Sequence, residues 1–287
     1  MDWQKGERSR NVEIDSGRGG GGGFGFGGGR GLGIGGLIVL AILGWVFFKD
    51  PTALLDQGGP VGQSAPASQP AQVDPQQRDF VSAILGSTEK TWGDIFAANG
   101  RQYVDPKLDL FSGGVRTACG LASTAVGPFY CPGDQKVYLD LSFFQELQDR
   151  FGAAGDFARA YVIAHEVGHH VQEQLGIFDK VQQAREQGAP MEGANGLSVR
   201  QELQADCFAG VWANRSEQRL HWLEAGDVEE ALNAASRIGD DTLQRESRGT
   251  VVPDSFTHGT SAQRVKWFKA GLESGQVSSC NTFSGDI

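Results

Sequence analysis

The sequence predicts a mostly helical α+β domain with a small sheet, preceded by one transmembrane helix. Three observations predict it. After about residue 78, apolar residues recur at three- and four-residue steps through several long stretches, the period of half-buried helices. Residues 136–141 alternate instead: Val137, Leu139 and Leu141 share one side, Tyr138 and Asp140 the other, as in a strand with one buried face. Residues 31–48 run for eighteen positions without a charge.

The N-terminal part reads as a tether. Residues 1–30 are polar and rich in glycine, too poor in apolar surface to order themselves, and are expected to form a disordered tail. Eighteen helical residues span about 27 Å, enough for a bilayer core, and Trp45 sits where an interfacial anchor would be. A cleaved signal peptide is the rival reading, with Ala65-Pro-Ala67 further on as a cleavage site, but the start is long and no small-x-small site closes the apolar run, which favours an uncleaved anchor. Arg18 and Arg30 precede the run, and Lys49 after it is offset by Asp50. The positive-inside rule then keeps the N-terminus cytoplasmic. It places the chain as a single-pass protein of the cell (inner) membrane, with the later domain periplasmic or extracellular. Residues 49–77, rich in Pro, Gln, Gly, Ala and Ser, are expected to be a linker, and 78–287 the domain. The formal charge of -10 excludes the basic face that a nucleic-acid partner needs.

Within the domain, Phe80, Val81, Ile84, Leu85, Trp92, Ile95 and Phe96 predict a helix over 78–99, with a break near Gly86 and Ser87. Residues 108–111 and 114–120 read as short extended pieces, and 127–134 as a turn. After the strand at 136–141, Phe143, Phe144, Leu147 and Phe151 mark a helix. A second follows over 157–175, where Phe157, Tyr161, Ala164 and Gly168 repeat at helical steps. Residues 176–197 are a polar connection. Ser198 with Gln201, Asp227 with Glu230, and Thr260 with Gln263 read as capping boxes for helices over 199–214, 227–238 and 262–272.

The candidate chemistry lies on two of these helices. In His165-Glu166-Val167-Gly168-His169-His170, the first and fifth residues are four apart, so both imidazoles leave one helix face and can reach one zinc ion. Glu166 lies about 100° round the helix, able to reach a water on that ion without filling the coordination site. His170 lies off the face. On its own this motif also fits two surface histidines that bind nothing. A second pair at the same spacing, Glu202 and Asp206, decides for the metal. Glu202 can supply the third protein ligand of a catalytic zinc, and Asp206, one turn on, can accept the spare N–H of a ligating histidine. Among Ala205, Phe208, Ala209 and Trp212, two carboxylates are costly unless they face a cation.

These motifs resemble the gluzincin pattern, a His-Glu-x-x-His followed by Glu-x-x-x-Asp. More narrowly, Gly127-Pro-Phe-Tyr-Cys-Pro132, Val137-Tyr-Leu-Asp140, Ala164-His-Glu-Val-Gly-His-His-Val-Gln172 and Asp254-Ser-Phe-Thr-His-Gly-Thr-Ser261 resemble the bacterial putative neutral zinc metallopeptidase family over nearly the whole chain. The resemblance implies a zincin-like domain and a membrane-anchored metalloendopeptidase with one zinc ion and a protein or peptide substrate. Glu166 would be its general base. It also implies that the strand at 136–141 is an edge strand that pairs with extended substrate. His258 is a candidate for hydrogen-bonding the oxyanion, since its segment is similar to one near the end of some gluzincins. A residue that only caps or packs a turn fits its spacing equally well. His221, beside Trp222, reads as a surface or packing residue.

Of four cysteines, Cys119 and Cys131 bracket a short turn-rich segment and form the natural near pair, leaving Cys207 with Cys280. Four cysteines allow three pairings, and free thiols are expected instead if the domain is cytoplasmic.

Overall fold

The computed structural model describes residues 1–15, 73–123, 127–140, 142–149, 152, 155–285 and 287. Its fold is mostly helical α+β with small sheets. Helix α1 (Pro75–Ala98) starts at Asp74, whose side chain accepts from the Gln76 N–H, with Pro75 in the first turn where its missing donor costs nothing. It runs unbroken through Gly86, correcting the expected break, because Phe80, Ile84 and Leu85 before it and Trp92 and Phe96 after it pack into one core. Helices α2 (Phe143–Asp149), α3 (Asp156–Gln174) and α4 (Ile177–Glu186) follow. Phe151 and Leu141, expected in the apolar sets, lie outside the described residues. Sequence periodicity missed α4 because it buries only Val181.

Helix α5 (Leu197–Leu220) extends two residues before and six beyond its predicted span, about two turns in all, and starts from Gly196 without a side-chain cap, so Ser198 and Gln201 do not form the expected box. Helix α6 (Asp227–Arg237) likewise starts one residue earlier than a cap at Asp227 would allow. Asp227 instead accepts from the Glu224 N–H. Helix α7 (Asp240–Arg248), rich in charge, was not legible by period. The last helix, α8 (Ser261–Ser274), opens with the expected reciprocal box between Thr260 and Gln263.

A four-stranded sheet has the order β1 (Val12–Ile14), β2 (Lys107–Phe111), β6 (Lys136–Asp140), β5 (Phe129–Cys131), parallel except for β5. Leu108 and Leu110 of β2 lie beside Val137 and Leu139 of β6, and all four join the main core with α1 and α3. Thus β6 is an inner strand, and the edge expected there belongs to β5, because β5 returns antiparallel on its outer side. A hairpin of β3 (Gly114–Thr117) and β4 (Gly120–Ser123) builds a second small core with Phe111, Cys131 and Tyr138. Both expected disulfides form: Cys119–Cys131 beside this hairpin, and Cys207–Cys280 between α5 and the C-terminal segment.

Close helix contacts place the site. A Cβ at Gly168 of α3 would lie 3.0 Å from the Ala205 carbonyl oxygen of α5, and one at Gly271 of α8 would lie 1.9 Å from that of Cys207. Small residues at these crossings let α3 and α8 close on α5 from two sides.

Two expectations about the N-terminal part are corrected. Residues 1–15 are not tail: they form a 3-10 turn and an edge strand. Arg8 clamps Asp79 with two bonds of 2.8 Å, Ser9 and Asn11 hydrogen-bond Glu89, and Arg219 holds Glu7. The transmembrane helix and the single-pass localisation with a cytoplasmic N-terminus are withdrawn as well. Among the described residues no helix is long and apolar enough to cross a membrane. The run at 31–48, the rest of the expected tail and residues 49–72 of the expected linker lie outside them. Residues 1–15 also pack on the same folded unit as 73–287, whereas one span between the two would hold them on opposite sides of a bilayer.

Candidate metal centre

Helix α3 carries His165, Glu166 and His169, all buried, because its apolar residues on every other side are in the core. Helix α5 crosses beside it and brings Glu202 to the two histidines. His165 Nε2 lies 3.1 Å from Glu202 Oε2, and His169 Nε2 lies 3.5 Å from Glu202 Oε1. One ligand atom from each of the three lies within 4.8 Å of the others. A tetrahedral zinc with bonds of about 2.0–2.1 Å needs ligand atoms about 3.3–3.4 Å apart; both distances to Glu202 lie close to this, and the donor set fits zinc.

The surroundings fix the histidines. Asp206, fully buried one turn beyond Glu202, faces His165 Nδ1 at 2.8 Å and accepts from the Tyr161 hydroxyl at 2.5 Å. Arg264 of α8 donates to both its oxygens, at 2.9 and 3.0 Å. His165 therefore keeps its proton on Nδ1 and turns Nε2 towards the centre. His169 does the same through Gln172, whose Oε1 lies 2.9 Å from Nδ1.

Burial by itself would push the Asp206 carboxyl up. The Arg264 guanidinium, then His165, overrule it and hold Asp206 below the usual carboxylate range. Glu202 is likewise opposed by burial, yet His169 and the bonds to both histidines hold it well below that range. Burial disfavours a charged His165, but Asp206 and Glu202 raise its pKa to about 10 from protein groups alone. A pocket whose carboxylates stabilise positive charge this strongly is suited to a cation. Burial also raises the pKa of Glu166, against the pull of both histidines.

Of the other histidines, His258 lies within electrostatic reach of Glu202, and each charge favours the other. Asp240 accepts from the backbone N–H groups of Thr257, His258 and Gly259, and its other oxygen lies 3.3 Å from His258 Nδ1. Burial disfavours the charged ring, and Asp240 overrides this and raises its pKa. His170 is off the face, as its spacing indicates, and is buried between Tyr130 and the Val104 carbonyl as a packing residue. His221 is exposed.

A family model described as "Putative neutral zinc metallopeptidase" matches residues 1–283. The chain belongs to this family. It is similar to the uncharacterized protein YpfJ of Escherichia coli K12, at 52% identity over 255 residues, 88% of each chain. It is also similar to the uncharacterized protein Rv2575 of Mycobacterium tuberculosis H37Rv, at 44% over 214 residues, 71% of this chain and 70% of that one. No solved structure matches it. The match to the zinc metallopeptidase family begins at residue 1, in keeping with an N-terminal segment that is part of the folded unit.

Sequence reasoning about this family member missed Tyr161, Gln172, Arg264 and Asp240. Tyr161 lies four residues before His165 and Gln172 three after His169, so a helix projection would have placed both beside the ligand face. Arg264 and Asp240 come from other helices, and no spacing pointed to them.

Proposed function

We propose that the chain is a zinc-dependent endopeptidase with one ion held by His165, His169 and Glu202. The observation that carries this reading is the convergence of those three ligand atoms within 4.8 Å, with a buried Glu166 next in sequence to the first. Zinc held there would supply a Lewis acid for a water and for the scissile carbonyl. Glu166 accepts the proton of the attacking water and delivers it to the leaving amine. Asp206 keeps His165 in the ligating tautomer. His258, held through Asp240, donates a hydrogen bond to the carbonyl oxygen as negative charge develops there. The outer edge of β5, carrying Tyr130 against His170 and Phe178, supports recognition of an extended peptide by backbone pairing. Residues 78–287, with residues 1–15 docked on them, form the catalytic unit.

The test is Glu166→Gln in the full chain, with zinc content and digestion of a peptide library measured together. Both forms retain zinc, and the variant loses at least about 10²-fold in rate. Equal cleavage by the two forms, or none by the zinc-loaded wild type, overturns the reading.

A further inference from the structure

His169 is oriented by a line of hydrogen bonds that starts outside the metal centre. Gln172 is fully buried on α3, with Gln204 nearly so on α5. The Gln204 Nε2 donates to the Cys280 carbonyl at 3.0 Å. Its Oε1 therefore faces the other way and accepts from Gln172 Nε2 at 3.0 Å. Gln172 Nε2 also donates to the Gln201 carbonyl at 2.7 Å, which leaves Gln172 Oε1 as the acceptor for His169 Nδ1. Reversing either amide would set oxygen against oxygen, so the two backbone carbonyls at the ends fix the direction of every bond between them.

The Cys280 carbonyl is itself held in place. Cys280 is disulfide-bonded to Cys207, the residue after Asp206. Two residues further, Thr282 donates to the Arg200 carbonyl at 2.5 Å, and Arg200 donates back to the Thr282 carbonyl at 2.6 Å. The C-terminal segment is thereby strapped along the part of α5 that carries Glu202.

We propose that Gln172 and Gln204 are positioning residues for the metal, and that the strapped C-terminal segment sets the tautomer of His169 through them. Nδ1 keeps its proton against Gln172 and Nε2 is turned towards Glu202 before any ion arrives. The proposal rests on the metal reading above, and it is tested on binding, not on cleavage.

The experiment measures zinc affinity of the full chain by competition with a chelator, together with thermal melts. Gln204→Leu touches no ligand, yet it is expected to weaken zinc binding about tenfold. Gln172→Leu does the same, and the double variant is no weaker than Gln172→Leu alone, because the two act in one line. Gln204→Glu keeps the acceptor for Gln172 but turns an oxygen on the Cys280 carbonyl. It is expected to melt lower than wild type while holding zinc more tightly than Gln204→Leu does. Imidazole nitrogen shifts of His169 report the tautomer directly and change only in the two Leu variants. Wild-type affinity in Gln204→Leu, multiplied losses in the double variant, or equal weakening in Gln204→Glu overturns the proposal. If Gln172→Leu does not fold, the two Gln204 variants decide it. Failure of the wild type to bind zinc would instead overturn the metal reading.

Discussion

Asp206→Asn removes one charge from the centre of a four-residue contact. Asp206 is fully buried and accepts from Tyr161 at 2.5 Å and from Arg264 at 2.9 and 3.0 Å, with His165 Nδ1 at 2.8 Å. An asparagine keeps one acceptor oxygen and turns the other into a donor that faces donors. Arg264, equally buried, is left without its counter-charge. Breaking such a pair from one side costs about 3–5 kcal/mol. For a domain of this size each kcal/mol lowers Tm by about 2–4 °C, so a fall of about 6–20 °C is expected. Loss of the partner of His165 weakens zinc binding by about 10–100-fold. Thermal melts of the full chain, with and without zinc, and chelator competition measure both quantities. A melt within about 1 °C of wild type together with unchanged zinc affinity would refute the reasoning.

Asp109 predicts a pH effect of opposite sign to the usual carboxylate. Burial raises its pKa to about 6, with Lys136 at 3.8 Å opposing only in part, and its buried Oδ1 has no hydrogen-bond partner among the described residues. A raised carboxyl contributes stability below its unfolded pKa of about 3.9, and that contribution is lost as pH rises through about 6. Asp109→Asn should therefore be the more stable form at pH 7, by roughly 1 kcal/mol after allowance for solvent screening, and should lose this advantage at pH 4. An equal difference at both pH values would contradict the assignment. For the third prediction, His258→Gln lowers kcat by about 10²-fold while zinc content holds. Asp240→Asn gives a smaller loss in the same direction. Unchanged kcat in His258→Gln would leave it a packing residue.

What the sequence made legible was local. His165 and His169, and Glu202 and Asp206, each declare their shared face through spacing on one helix, and the close crossing at Gly168 joins the two pairs. Thr260 and Gln263 announce their helix in the same way. Long-range pairings were not legible. Arg264 meets Asp206 only because α8 packs on α5, and Gln204 reaches Cys280 only because a disulfide draws the C-terminal segment in. The N-terminal misreading has the same origin. Residues 1–15 are polar, and they are ordered by ion pairs and strand pairing to residues about 70 to 210 positions away, which composition cannot show.

Zinc per chain, measured by elemental analysis on wild type and His169→Ala beside peptide cleavage, tests the central claim most directly. About one zinc per chain is expected in wild type, with its loss in His169→Ala and loss of cleavage alongside. Zinc retained by His169→Ala, or cleavage by metal-free wild type, would contradict it.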